Sequence, residues 1–255
     1  MSTDSSSILL AFLGASNLAR GYTALSHFIV RRLAPHPVEC FLAFGPGRGY
    51  AATGGVLNIT FPPIAECGLL EAVRLRVSTG ARTLALLTDI GNDIMYGLPP
   101  AEIIACLEKI IKQILAMDGQ VLATPISLDV ERDVGRRAFR ILRTVYFPKS
   151  RMTMEQAAQA VAKINAFLYQ VRSERVHLLD GMSAFRGCDK IHYAVLKNSA
   201  AWTRVGDEML RLLGAEPRPP RRIGTGRMLH SFGCNLGRLI FVDELRLMPR
   251  PGNQF

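Results

Sequence analysis

The sequence predicts an α/β fold, namely a three-layer α/β/α sandwich around a mainly parallel five-stranded sheet. Short, continuous apolar runs alternate along the chain with longer segments of helical periodicity, and the apolar runs end at glycine or polar residues. Parallel strands that are buried on both faces and joined by right-handed crossover helices produce this pattern. A chain of 255 residues is long enough to bury such a core without disulfides.

Each predicted strand is a run of mostly aliphatic or aromatic side chains. The first run ends at Gly14 and the third ends at Asp89, so the strands are bounded by residues that favour turns. The five predicted strands are residues 8–13, 38–44, 83–88, 121–126 and 176–179.

The segments between these strands are predicted to be helices. In the first of them, Leu25 and Phe28 lie on the same helical face, as burial against a sheet requires. Pro100 is compatible with the first turn of a helix, and Thr153 with Gln156 forms a capping-box sequence. The predicted helices cover residues 18–33, 66–77, 100–117, 154–172 and 200–213.

The C-terminal part of the chain departs from the alternating pattern. We predict a main domain over residues 1–214 and a basic appendage over residues 215–255. Prolines exclude a helix at the start of the appendage, and residues 239–242 are predicted to add one strand. The excluding prolines are Pro217, Pro219 and Pro220.

Composition excludes several functional classes. Hydrophobic residues make up 49% and charged residues 20%, which is ordinary for a globular protein. The net charge is +10, but no Lys/Arg block interleaved with aromatic residues is present, so we do not expect a nucleic-acid partner. The five scattered cysteines form no CxxC pair, and the N-terminal residues predict neither a signal peptide nor a membrane span. These features predict a soluble cytoplasmic protein that uses no metal or other cofactor.

Polar motifs follow three of the predicted strands, and the carboxyl ends of parallel strands meet at one edge of a sheet. Ser16 follows the first strand, Asn92 follows the third, and Asp189 and His192 follow the fifth. A serine hydroxyl becomes a nucleophile when a histidine takes its proton and an aspartate orients that histidine. The structural alternatives are a helix cap at Ser16 and a turn at Asn92.

These motifs resemble, in their order along the chain, those of the GDSL/SGNH hydrolase superfamily. The shared features are Gly-x-Ser after the first strand, a glycine-rich loop after the second, Gly-Asn-Asp after the third and a late Asp-x-x-His. The resemblance spans about residues 8–213 and implies a flavodoxin-like sandwich. It implies that Ser16 is the nucleophile, that His192 is the general base and that Asp189 orients His192.

The resemblance also implies an oxyanion hole, which would stabilise the negative charge that develops on a substrate carbonyl. Its donors would be the Ser16 N–H, the Asn92 side-chain amide and a glycine N–H. That glycine is either Gly49 or Gly47. The resemblance favours Gly49, because a second glycine, Gly55, follows it six residues later, as in related loops of the family.

The predicted function is a serine hydrolase of ester bonds that works through an acyl-enzyme, as a carboxylesterase or an acyl-carbohydrate esterase. The alternatives are an acyltransferase with the same triad and a non-catalytic module that binds an anionic ligand. Ala15 stands where the family usually has aspartate, which marks an atypical member. Arg48 is a candidate for binding an anionic substrate group, Asp89 and Asp93 are interpreted as turn-capping groups, and Trp202 as a core residue.

Overall fold

The central sheet consists of five parallel strands in the order β2-β1-β3-β4-β5. The computed structural model describes residues 7–56, 58–78, 80–215, 219, 222–249 and 252–255. All five predicted strands are confirmed, with ends that differ by a few residues. The strands are β1 Ile8–Leu13, β2 Val38–Ala43, β3 Arg82–Leu87, β4 Gln120–Ala123 and β5 Val176–Leu178.

Helices connect the strands and cover the sheet. The predicted capping box at the start of α7 is present, because Thr153 and Gln156 exchange side-chain to backbone hydrogen bonds. The helices are α1 Ser16–Leu33, α2 Leu69–Arg76, α3 Asn92–Met95, α4 Pro100–Ala116, α5 Val130–Asp133, α6 Arg136–Tyr146, α7 Met154–Gln170, α8 Val195–Leu212 and α9 Thr225–Arg238.

Two apolar cores lie on opposite faces of the sheet. Successive side chains of β1 alternate between them, because side chains of a strand point to opposite faces in turn. Ile8, Leu10 and Phe12 pack with α1 and α8, whereas Leu9 and Leu13 pack with α2, α4 and α7. This arrangement is the predicted three-layer sandwich.

The strand order places a crevice beside Ser16. The chain leaves β1 towards α1 on one face of the sheet, and it leaves β3 towards α3 and α4 on the other. Because β1 and β3 are neighbours, their diverging loops open a crevice at the carboxyl edge, which is where ligands bind in open parallel sheets. Ser16 begins α1 and Asn92 begins α3, so both residues lie at this crevice.

The C-terminal region corrects one prediction. Residues 239–242 do not form a strand: Leu239–Glu244 is a π-helical segment that continues directly from α9. Local β propensity is overridden here because α9 docks on α1, where the Ser231 hydroxyl donates to the Arg20 carbonyl at 2.9 Å. Most of the proline-rich stretch lies outside the described residues.

The last residues of the chain cover the free edge of the sheet. The Leu42 N–H of β2 donates to the Asn253 carbonyl, and the Phe255 N–H donates to the Leu42 carbonyl, each at 2.9 Å. An edge strand otherwise presents unpaired backbone groups, so this short contact protects β2. Among the described residues, no helix is both long and apolar enough to span a bilayer.

Candidate active site

Ser16, His192 and Asp189 form a continuous line of hydrogen bonds. The Ser16 Oγ lies 2.9 Å from the His192 Nε2, and the His192 Nδ1 lies 2.7 Å from the Asp189 Oδ2. An ionised carboxylate only accepts hydrogen bonds, so the ring proton is on Nδ1 and Nε2 is free to accept the serine proton. The structure therefore brings together the three side chains that the sequence predicted as nucleophile, base and orienting acid.

Asp189 also fixes the backbone of the loop that carries His192. Its Oδ1 accepts the N–H groups of Ile191 at 3.1 Å and of His192 at 2.9 Å. Partial burial raises the pKa of Asp189, but the hydrogen bonds from the His192 ring and from these N–H groups outweigh it and hold the pKa below its usual range. The carboxylate thus stays ionised beside the imidazole.

Asn17 clamps the His192 loop to the first turn of α1. Its side-chain amide donates to the Ile191 carbonyl at 3.2 Å, and its side-chain oxygen accepts the Tyr193 N–H at 3.0 Å. These two contacts lie on either side of His192 in the chain. Asn17 therefore positions the imidazole relative to its own neighbour, Ser16, a role that a single sequence does not signal.

Asp89 organises the backbone around Ser16. Its Oδ2 accepts the N–H groups of Ala15, Asn17 and Leu18 at 3.0, 3.0 and 3.1 Å. Among the hydrogen bonds of the described residues, none is made by the Ser16 N–H, which this carboxylate leaves out. One backbone donor therefore remains available beside the Ser16 hydroxyl, at a helix N-terminus that favours negative charge.

Asp93 organises the glycine-rich loop in a similar way. Its carboxylate is fully buried and accepts the N–H groups of Tyr50, Ala51 and Ala52 at 2.7, 3.0 and 2.8 Å. Burial raises the pKa of Asp93, and these N–H groups oppose the rise. Asp89 and Asp93 are interpreted from the sequence as turn-capping groups, and both do accept backbone N–H groups. Those groups lie in the first turn of α1 and in the glycine-rich loop rather than in the turn that carries the two aspartates.

Asn92 lies between these two aspartates and contacts the glycine loop. Its side-chain amide donates to the Arg48 carbonyl at 2.9 Å, which belongs to the peptide unit that joins Arg48 to Gly49. A side chain at Gly49 would collide with Asp93, because an added Cβ would lie 2.5 Å from the Asp93 Oδ1. Within the described residues, no acceptor contacts the Gly49 N–H.

Gly47 has a separate structural reason to be glycine. Its φ is +72°, and an added Cβ would lie 2.5 Å from the Gly55 carbonyl oxygen. The close approach of Gly47 to the Gly55 carbonyl therefore accounts for the glycine at position 47 without a role in chemistry.

The structure corrects the expectation for Arg48. Its side chain is fully buried, and the guanidinium donates to the Pro62 carbonyl at 3.2 Å and to the Phe255 carbonyl. The group therefore ties the glycine-rich loop to the C-terminus and does not face an anionic substrate.

Trp202 is fully buried, as predicted, and packs against Gly21 of α1.

A cavity of about 180 Å³ opens beside Ser16 and Asn92. It extends from the crevice towards α5, α6 and α7, and the sequence did not predict α5 and α6. In the ranges that the structure describes, no cluster of three His, Cys, Asp or Glu side chains has the arrangement of a metal site.

Solved structures of esterases share this fold. A carbohydrate acetylesterase family member from Sinorhizobium meliloti has a TM-score of 0.52 at 13% identity, covering 82% of this chain and 99% of that chain. The M. smegmatis aryl esterase has a TM-score of 0.50 at 13% identity, covering 81% and 100%. A member of the lipolytic protein G-D-S-L family from Veillonella parvula has a TM-score of 0.48 at 11% identity, covering 82% and 99%.

Neither a protein-family model nor a curated protein matches the sequence. At such low identities the two esterases with TM-scores of 0.50 and 0.52 establish the fold class. That fold is a flavodoxin-like sandwich, as the order of motifs along the chain implied.

Proposed function

We propose that the protein is a serine esterase of the GDSL/SGNH type, with Ser16 as nucleophile, His192 as general base and Asp189 as the residue that orients the base. The observation that carries the proposal is the hydrogen-bonded line from Ser16 Oγ through the His192 ring to Asp189. Such a line is what activates a serine hydroxyl, which is otherwise a poor nucleophile at neutral pH.

The reaction proceeds in two acyl-transfer steps. His192 takes the Ser16 proton as Oγ attacks the ester carbonyl, and the same proton then passes to the departing alcohol. Water, deprotonated by His192, attacks the resulting acyl-enzyme and releases the carboxylic acid. Both steps pass through a tetrahedral oxyanion.

The oxyanion is held by the Ser16 N–H, the second hydrogen of the Asn92 amide and the Gly49 N–H. The Arg48 carbonyl accepts from Asn92, and in a trans peptide the Gly49 N–H points the opposite way, so the Arg48–Gly49 peptide must rotate for Gly49 to donate. Two observations support this assignment. Asp89 accepts the backbone N–H groups around Ser16 but not the Ser16 N–H, and Asp93 accepts those that follow Gly49 but not the Gly49 N–H. Gly47 is the weaker choice because its turn geometry already explains it.

The substrate is a small-molecule ester, and we propose a cytoplasmic location. The location rests on the five free cysteines, which suit a reducing compartment.

The test is hydrolysis of p-nitrophenyl esters by the wild type and by Ser16→Ala. We expect kcat/KM to fall by at least ~10³-fold, because a triad without its nucleophile keeps only residual catalysis. Ser26→Ala is the matched control, since Ser26 lies in the same helix and its hydroxyl donates to the local Thr23 carbonyl at 3.3 Å. Full activity in Ser16→Ala, or equal losses in both variants, would refute the assignment.

A further inference from the structure

The cavity beside Ser16 has a wall that is mostly apolar. Several of its side chains come from the three helices that follow β4, and most of them are buried. These side chains are Val130 and Val134 of α5, Phe139 and Leu142 of α6, and Ala157 and Val161 of α7.

The charged groups that line the cavity either form hydrogen bonds within the protein or are exposed to solvent. Asp89 is bound to the first turn of α1, and the Arg186 guanidinium donates to the Ser127 hydroxyl at 2.7 Å. Lys190 is exposed to solvent. A polar acyl group, such as a sugar acid, would therefore lose its hydrogen bonds to water against this wall without replacing them.

The cavity also limits the size of the group that it can hold. A dry apolar cavity of about 150 Å³ accommodates benzene, which has six carbons. The cavity of about 180 Å³ in this protein therefore has room for slightly more.

We propose that this cavity is the acyl-binding site and that it selects esters of apolar carboxylic acids with about six acyl carbons. The inference rests on the proposed function, since it assigns the acyl side of the bond that Ser16 attacks. The acyl carbonyl lies at Ser16 and Asn92, and the hydrocarbon extends between α5, α6 and α7.

The site predicts a chain-length profile for p-nitrophenyl esters from acetate to dodecanoate. Each methylene buried in the transition state gives about a fourfold gain in kcat/KM, which corresponds to ~0.8 kcal/mol per CH₂. We therefore expect hexanoate to exceed acetate by about 200-fold, and kcat/KM to fall for longer chains, whose additional carbons the cavity does not hold. An aromatic acyl group is tested by the benzoate ester, which fits the same volume.

Two substitutions change the cavity in opposite directions. Ala157→Leu adds three carbon atoms to a buried wall and takes the room of about three acyl carbons, so activity on hexanoate falls by about 60-fold and the optimum shifts to butyrate. Leu142→Ala enlarges the cavity and shifts the optimum to longer chains. Ala162→Leu is the matched control, because Ala162 is exposed on the same helix and leaves the profile unchanged.

Product binding gives a readout that does not depend on turnover. Hexanoate raises the melting temperature of the wild type at concentrations where acetate has no effect, and Ala157→Leu abolishes that difference. If Ala157→Leu does not fold, the shift in Leu142→Ala decides the question.

The outcomes separate this inference from the proposed function. Ser16-dependent cleavage with equal kcat/KM for acetate and hexanoate overturns the acyl site and leaves the esterase intact. Hydrolysis that survives Ser16→Ala overturns the esterase assignment itself. A chain-length optimum that moves in neither Ala157→Leu nor Leu142→Ala also overturns the acyl site.

Discussion

Asp89 and Asp93 lie on the two sides of Asn92 in the chain, and each carboxylate accepts three backbone N–H groups. Asp89 is partly exposed, and its donors belong to the first turn of α1, where the helix dipole already favours a negative charge. Asp93 is fully buried, and its donors come from the loop at residues 50–52.

This difference indicates that Asp93 contributes mainly to stability, whereas Asp89 mainly fixes the backbone geometry around Ser16. Without Asp93, three N–H groups would face a buried site without an acceptor, and water could not replace the carboxylate there. Asp89 itself is partly exposed, so water can take the place of its carboxylate and the loss of Asp89 costs less stability. It instead releases the backbone on both sides of Ser16, which is the nucleophile in our proposal.

The largest effect is expected for the stability of Asp93→Asn. The amide keeps one acceptor oxygen and turns an NH₂ group towards backbone donors, so the free energy of unfolding should fall by about 3 kcal/mol. Urea unfolding measures the change. The control is Asp118→Asn, whose side chain is 97% exposed, and its effect should stay within about 0.5 kcal/mol. Comparable values for the two variants would contradict the role given to Asp93.

Asp89→Asn should lose less stability than Asp93→Asn, and its main effect should be on ester hydrolysis. A weakened cap at the α1 N-terminus lowers the free energy of unfolding by about 1 kcal/mol. Ester hydrolysis should fall by about 10² in kcat with little change in KM, because the Ser16 N–H acts on the oxyanion rather than on the bound ester. Steady-state kinetics at a temperature where the variant is folded provide the measurement. An unchanged kcat would show that Asp89 is only a structural cap.

The smallest effect concerns how the stability contributed by Asp93 and by Asp189 changes with pH. Burial raises the pKa of Asp93 in the folded protein, so its contribution to stability is lost as pH rises through that pKa. For Asp189 the hydrogen bonds outweigh burial and lower the pKa, so its contribution is lost as pH falls. The stability contributions of the two carboxyls are therefore expected to change with pH in opposite directions.

Urea unfolding of the wild type, Asp93→Asn and Asp189→Asn between about pH 3 and pH 6 measures these slopes. With rising pH, the advantage of the wild type should shrink over Asp93→Asn and grow over Asp189→Asn. Slopes of the same sign would contradict the opposite environments assigned to the two carboxyls.

The strands were predictable because a buried parallel strand needs a continuous apolar run, and each run ended at a residue that favours a turn. Ser16, Asn92, Asp189 and His192 could be placed together for a related reason. Each follows a strand, and parallel strands deliver their following residues to one edge.

The same reasoning gave a wrong prediction for the side chain of Arg48. Its position in a glycine-rich loop at the same edge suggested a substrate contact, whereas its side chain is turned inwards to the C-terminal Phe255 carbonyl. A partner that lies more than two hundred residues away leaves no local trace in the sequence. The same holds for residues 239–242, whose conformation follows from the docking of α9 on α1.

The sequence by itself determined the strand pattern, the order of the polar motifs and hence the sheet edge where they meet, because these depend on local periodicity and on the handedness of crossovers. Only the tertiary structure decided which backbone donors Asp89 and Asp93 leave available, how Asn17 holds the His192 loop, and how wide the cavity is. These features depend on contacts between distant segments, whose distances are set by packing rather than by any one stretch of chain.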